Sequence, residues 1–187
     1  MSILDVFKQF PKEAQIVGHL LAVYSTLEID LMHCVQVPRE DFDTVLKAMF
    51  RPRGETSRID IADAFGRQVY RELELGTEFE MALSAMRNCL KIRNQYAHCV
   101  WWDDWSKKLA FANLEDIANS NEKQKGLRDL KPFHVDVPLL ESQSNYFEYT
   151  DQLLSWVTWE GRVRDKKLEK HIFPKPAQLA PPDLYIP

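Results

Sequence analysis

Residues 77–98 read TEFEMALSAMRNCLKIRNQYAH, and this stretch decides the fold. It begins with a T-x-x-E capping box formed by Thr77 and Glu80, a pattern typical of a helix N-terminus. At about 100° per residue, the stretch separates into a broad apolar side and a polar side. The apolar side carries Phe79, Ala82, Leu83, Ala85, Met86, Cys89, Leu90, Ile92, Tyr96 and Ala97. The polar side carries Glu80, Ser84, Arg87, Lys91, Asn94 and His98. The stretch therefore predicts a long amphipathic helix in a mainly α protein.

Arg93 interrupts this scheme, because it falls in the middle of the apolar side. A guanidinium does not lose its proton, so its burial requires a carboxylate, a phosphate or several other acceptors. Glu28 is a matching irregularity on the apolar side of an earlier helix. We expect Glu28 and Arg93 to meet where the two helices pack. The pair is either a plain buried ion pair or a device by which Glu28 holds Arg93 toward a cleft.

The rest of the chain divides into further helices, a hairpin and a tail. Apolar periodicity, capping residues and breakers predict helices over residues 11–37, 41–50, 57–74 and 138–170. Two β-prone runs flank residues 103–106 and predict a hairpin at about 99–113. The predicted fold is a helical bundle in a single domain, residues 1–172. In chain order the helix that begins at Thr77 is the fourth, and the hairpin is inserted directly after it. Residues 173–187 are Pro-rich and predict an extended tail, which docks on its own domain, binds a partner or is disordered.

Composition is that of an ordinary globular protein of 187 residues, with 45% hydrophobic and 28% charged residues. A net charge of −4 excludes a protein that coats nucleic acid by bulk charge. Two segments, 81–102 and 44–54, contain no acid and three basic residues each. Six of the 24 basic residues therefore lie there, which leaves 18 basic against 28 acidic residues elsewhere. This distribution favours local binding of one phosphate backbone.

The three cysteines, Cys34, Cys89 and Cys99, form no C-x-x-C pair and predict reduced thiols in the cytoplasm. The first fifteen residues are a poor signal peptide, and no run of about 18 apolar residues is present, so no membrane span is expected. His33-Cys34 and His98-Cys99 suggest zinc, but no second spaced pair supports it. We therefore expect neither a metal nor a cofactor.

The end of the central helix reads Arg93-Asn94-Gln95-Tyr96-Ala97-His98, which has the form R-N-x-x-A-H. At the end of the penultimate long helix of an all-α protein, this resembles the signature of the HEPN superfamily, the higher eukaryote and prokaryote nucleotide-binding domains. The resemblance covers roughly residues 11–165. The hairpin and the tail look like elaborations of the bundle.

The resemblance implies a homodimer in which the Arg and His of both copies converge on a cleft. It implies a metal-independent endoribonuclease, toxin-like or defence-related, that leaves a 2′,3′-cyclic phosphate. Its activity would be regulated by an antitoxin or another protein. His98 would be the general acid/base, Arg93 would stabilise charge on the phosphate, and Asn94 would position the phosphate or the imidazole. The tyrosine found two residues after the His in one toxin branch is Val100 here, so regulation through that position is not expected. The alternative is a non-catalytic module that binds a nucleotide or nucleic acid, or that only dimerises.

Further residues are candidates for RNA contacts. Arg87 and Lys91 lie in the basic segment that ends at the motif, and Trp101 follows it. Trp101, Trp102 and Trp105 either stack on bases or cover the apolar face of the hairpin. Arg51, Arg53 and Arg58 either guide a phosphate backbone or are simply solvated.

Overall fold

The fold was established from a computed structural model, which describes residues 3–52, 54–119, 123, 126 and 130–186. Within those residues the chain forms seven helices and three strands. In chain order they are α1 (Ile3–Gln9), α2 (Pro11–Arg39), α3 (Phe42–Phe50), α4 (Glu55–Glu72), α5 (Gly76–Ala97), β1 (Cys99–Asp103), β2 (Leu109–Asn113), α6 (Leu114–Asn119), β3 (Phe133–Val135) and α7 (Val137–Arg164). The prediction of a mainly helical protein with a small β element is confirmed. Helix α1 and strand β3 were not predicted. The polar run 119–131 has the composition of a loop, and most of it lies outside the described residues.

The chain forms two compact units. Unit 1 consists of Met1–Ala22, Lys91–Asn145 and Pro182–Pro187, and unit 2 consists of Val23–Leu90 and Tyr146–Pro181. Helices α2, α5 and α7 each contribute residues to both units. The sequence predicted a single domain followed by a tail. The tail residues 173–181 belong to unit 2 and residues 182–187 to unit 1, and the single domain stays a prediction.

Unit 1 contains a three-stranded antiparallel sheet in the order β1-β2-β3. The pairing of Trp101 with Phe111 lies at the middle of the β1–β2 ladder, as the predicted hairpin requires. All five residues of β2 are buried, which a strand in the centre of a covered sheet requires. An aromatic cluster holds the sheet to α1 and α5, with the Trp101 ring 5.9 Å from Phe7, 5.7 Å from Tyr96 and 5.2 Å from Phe111.

The core of unit 2 shows why a glycine lies inside α4. The rings of Tyr70 and Phe79 stack with centroids 4.5 Å apart, and both side chains are buried. A Cβ atom at Gly66 would lie 2.4 Å from Phe79 Cζ, which is less than the van der Waals contact distance. Gly66 therefore allows the Phe79 ring to lie against the backbone of α4.

Helix α7 is shorter than the helix that the sequence predicts over residues 138–170. Helix α7 ends at Arg164, about six residues before the predicted end, because Lys166 adopts a φ of 58°. The Lys166 amide donates to Val163 O and the Lys167 amide donates to Arg162 O, which is the Schellman pattern. Glycine is the usual residue at that left-handed position, so a lysine there gives no stop signal in the sequence.

Among the described helices, α2 has the length and mean hydropathy, 1.2 over 18 residues, needed to cross a membrane. It contains no unbroken apolar run of that length, because Glu28 and Asp30 interrupt its apolar stretch. Of that window, 44% is buried within the fold, and a core helix of a soluble protein meets the same criterion.

Candidate functional site

The R-N-x-x-A-H motif occupies the last turn of α5 and the residue that follows it. The chain then enters β1, and the end of β2 returns to this point. The Asn113 side chain donates to the carbonyl oxygens of Asn94 and Gln95, both at 3.2 Å. The Leu114 amide donates to His98 O at 3.2 Å. These bonds satisfy carbonyls that a helix C-terminus leaves without partners, so the sheet holds the motif in place.

Arg93 and Asn94 form one hydrogen-bonded unit. Arg93 Nη1 donates to Asn94 Oδ1 at 2.9 Å, and both side chains are half-buried. This bond uses one of the five donors of the guanidinium and fixes the orientation of its plane. The pair is therefore built to present a permanent positive charge in a defined direction.

His98 is the exposed member of the motif, with 55% of its side chain accessible to solvent. Its Nε2 atom lies 3.6 Å from Glu115 Oε1, too far for a hydrogen bond but close enough for electrostatic attraction. An accessible imidazole beside a carboxylate can accept a proton and hold the resulting charge. Glu115 and Asn113 were not predicted, because Asn113 ends the hairpin, Glu115 follows it, and neither has a fixed spacing from α5.

Glu28 has a different partner from the one predicted. Arg58 Nη1 lies 2.7 Å from both Oε1 and Oε2 of Glu28, and the Glu28 side chain is only 8% exposed. The ion pair of Glu28 is thus with Arg58 of α4, which corrects the pairing with Arg93. Arg58 is therefore engaged in a structural contact and not simply solvated.

The three residues predicted to contact RNA differ in environment. Arg87 forms ion pairs with Asp60 and Asp63, at 3.4 and 3.8 Å, whereas Lys91 is exposed. Trp101 is only 8% exposed and belongs to the aromatic cluster of unit 1, which favours the alternative that it covers the apolar face of the hairpin over stacking on bases. The exposed indole of the hairpin is Trp105, which is 82% accessible. Of the other basic candidates, Arg51 is exposed and Arg53 lies outside the described residues.

A second group of titratable residues lies in unit 2, between α2 and α7. Asp30 lies on α2 and Asp151 on α7, and the two carboxyl groups interact. Burial, followed by the charge of Asp151, raises the pKa of Asp30 to about 7. Asp30 faces a cleft of about 260 Å³, whose other lining residues are His33, Val37, Ser155, Thr158, Trp159 and Arg162.

Within the described part of the chain, no three or more His, Cys, Asp or Glu side chains are grouped so that they could hold a metal ion. Comparisons with known proteins return no match: no family model fits the sequence, and neither a curated protein nor a solved structure matches it.

Proposed function

We propose that this protein is a cytoplasmic, metal-independent endoribonuclease of HEPN type, with His98, Arg93 and Asn94 as its reacting and positioning groups. The observation that carries the proposal is the exposed His98 imidazole beside Glu115, five residues after a guanidinium oriented by Asn94. An accessible acid/base group and a fixed phosphate ligand are what cleavage by an internal ribose hydroxyl requires.

In the proposed reaction, His98 accepts the proton of a ribose 2′-hydroxyl as its oxygen attacks the adjacent phosphorus. The new O2′–P bond forms as the P–O5′ bond breaks, and the proton is returned to the departing 5′ oxygen. The products are a 2′,3′-cyclic phosphate and a 5′-hydroxyl end. Arg93 donates to the non-bridging phosphate oxygens, on which negative charge accumulates.

Glu115 lies next to the group that becomes charged in this reaction, the His98 imidazole. When His98 takes up the hydroxyl proton, the imidazolium lies 3.6 Å from a carboxylate. Opposite charges at that distance attract each other. Lys91 is exposed on the same helix and supplies a further positive charge for the RNA backbone. A homodimer would bring a second His98 and Arg93 to the same RNA.

The test is RNA cleavage in the presence of a chelator, followed by analysis of the product ends. The wild type is compared with Arg93→Ala and His98→Ala, and with His19→Ala as a matched control, since His19 is another exposed histidine. We expect cyclic phosphate ends from the wild type and the control, and at least a 100-fold loss in the two motif variants. Equal cleavage by wild type and His98→Ala would show that another protein or another site is responsible.

A toxin-like role adds a cellular test. Expression of the wild type should arrest growth, and expression of His98→Ala at equal level should not. Co-expression of a cognate antitoxin or regulator would relieve the arrest. Light scattering during chromatography tests the homodimer.

The alternative proposal is a non-catalytic module that binds a nucleotide or nucleic acid through Arg93. The Arg93–Asn94 bond and the half-buried guanidinium favour it, because both suit a fixed phosphate ligand without turnover. It predicts RNA binding that Arg93→Ala removes and His98→Ala retains, with no cyclic phosphate under any condition.

A further inference from the structure

The last described residues of the chain, Asp183–Ile186, bind through their main chain to the rest of unit 1. Gln143 Nε2 donates to Asp183 O at 2.8 Å and to Leu184 O at 3.0 Å. Gln95 Nε2 donates to the same Leu184 oxygen at 2.6 Å. Gln143 is fully buried and Gln95 is 8% exposed, so two buried carboxamides meet on the backbone of the tail.

The Gln143 amide is hydrogen-bonded on both sides. Tyr96 donates its hydroxyl proton to Gln143 Oε1 at 2.7 Å. The tail carbonyls can only accept, so the amide nitrogen faces them and Oε1 is left to accept from Tyr96. The tyrosine and the two glutamines therefore form a network that holds a peptide backbone by its carbonyl oxygens.

The next two residues, Tyr185 and Ile186, contact the edge of the sheet, where Ile186 forms a single bridge. His134 and Ile186 exchange both backbone hydrogen bonds, at 3.0 and 2.8 Å, in an antiparallel bridge at the edge of β3. The residue before Ile186 also contacts β3: the Tyr185 ring lies on the Phe133 ring, with centroids 3.9 Å apart. Main-chain bonds at a sheet edge, with pockets for alternate side chains, are the means by which domains bind extended peptides.

The contacts of this segment favour reversible binding. Leu184 and Ile186 are only half-buried and Tyr185 is 37% exposed, so little apolar surface holds the segment down. Segments with few buried apolar contacts open at much lower free energy than the core. Their release leaves the Gln95 and Gln143 amides without their tail acceptors, which favours rebinding of any similar backbone.

The chain that leads to the segment is anchored at Lys175, whose Nζ lies 2.9 Å from Glu78 Oε1, so the part that can be redirected begins after that residue. Residues 174–182 contain four prolines and include no helix or strand. Proline-rich chain of this kind is extended and semi-rigid, and it reaches away from its attachment point more readily than a flexible coil. A second copy presents the same Asp183–Ile186 segment with the same main-chain groups and the same tyrosine.

We propose that the groove formed by Gln95, Tyr96, Gln143 and the edge of β3 is a peptide-acceptor site, and that the Asp183–Ile186 segment of a second copy can fill it in place of the chain's own. This exchange goes beyond the proposed ribonuclease activity and does not depend on it.

The test uses two full-length variants, His134→Cys on one chain and Ile186→Cys on the other. Residues that exchange both hydrogen bonds have Cα atoms about 5.5 Å apart, within the range that a disulfide spans. After mixing and mild oxidation, we expect a disulfide-linked heterodimer whose yield rises with protein concentration. Gln178→Cys replaces Ile186→Cys as the matched control, because Gln178 is an exposed tail residue away from the groove. A Gln143→Leu change in the acceptor chain should lower the yield at least tenfold.

A heterodimer yield equal to that of the Gln178→Cys control, at every concentration, would overturn the proposal. If a cysteine variant fails to fold, hydrogen exchange of the wild type decides. The Ile186 amide should then exchange at least 100-fold faster than the slowest core amides. Exchange of Ile186 only with global unfolding would show that the segment never leaves the groove, and it would equally overturn the proposal.

Discussion

Arg58 Nη1 lies 2.7 Å from both carboxylate oxygens of Glu28, and this contact joins α4 to α2 within unit 2. The hydrogen bond to Glu28 raises the pKa of Arg58 above its ordinary value, against the opposing effect of burial. The Arg58 guanidinium also lies over the Phe50 ring, 5.0 Å from its centroid. The two charges therefore have a structural role.

We predict that Glu28→Gln destabilises the protein, because it leaves a mostly buried guanidinium without its carboxylate. The expected loss is about 2–3 kcal/mol, toward the low end for a broken buried pair because Arg58 is partly exposed. Urea unfolding measures it. Arg51→Met is the control, since Arg51 is exposed, and it should change stability by less than about 0.5 kcal/mol. Equal effects of the two changes would contradict a structural role for the pair.

Asp30 should make the stability of the protein depend on pH. Its pKa is about 7 in the folded protein against an ordinary 3.8, so the folded state binds the proton more tightly. The contribution that favours folding is complete below about pH 4 and is lost as the pH rises through about 7. We expect Asp30→Asn to be the more stable protein at pH 8, by about 1 kcal/mol after allowance for solvent screening.

Urea unfolding at pH 5 and pH 8 compares the two proteins. Glu148→Gln is the control, because Glu148 is an exposed carboxylate on α7, the helix that carries Asp151. A difference between wild type and Asp30→Asn that stays the same at both pH values would contradict the raised pKa of Asp30.

The two tryptophans of the hairpin predict opposite outcomes. Trp101→Ala should cost about 3–5 kcal/mol, because it removes the centre of the aromatic cluster of unit 1. Trp105→Ala should leave stability within about 0.5 kcal/mol, because its ring is 82% exposed. Thermal unfolding separates them. An unchanged melting temperature for Trp101→Ala, with weaker RNA binding, would restore Trp101 as a base-stacking residue.

Asn113→Ala should loosen the candidate site without touching its reacting groups. It removes the donors to Asn94 O and Gln95 O, at a cost of about 1–2 kcal/mol for losing a helix cap. We expect RNA cleavage to fall with this loss, because the end of α5 carries His98. Asn119→Ala, at the exposed end of α6, is the control and should leave both stability and cleavage unchanged.

Periodicity in the sequence was sufficient for the helices but not for their partners. It showed that Glu28 lies on a mostly apolar side of α2, yet it could not choose between Arg93 and Arg58 as the neighbour. That choice depends on which helices pack together, which is a tertiary property. Strand β3 was missed because three residues are too few to show alternation. Trp101 and Trp102 are adjacent in sequence, and the register of the hairpin decides which of them faces the aromatic cluster.

The candidate motif was found from the sequence because its residues are close together on one helix. Its supporting residues were not found in this way. Asn113 ends the hairpin and Glu115 follows it, and no spacing rule predicts where the hairpin returns to α5. Gln143 lies 47 residues after Tyr96, its hydrogen-bond donor. A glutamine within an amphipathic helix has no feature that marks it as the acceptor of such a contact.

The bonds between Gln143 and the tail have a consequence for the order of synthesis. Asp183 follows Gln143 by 40 residues. At about 5–20 residues per second, the ribosome needs about 2–8 s to add them. For that interval the new chain has both glutamine donors but not yet the carbonyls that they bind. The two glutamine donors therefore exist in the chain before their acceptors do, and the groove cannot be closed by the chain's own tail until Asp183 and Leu184 have been added.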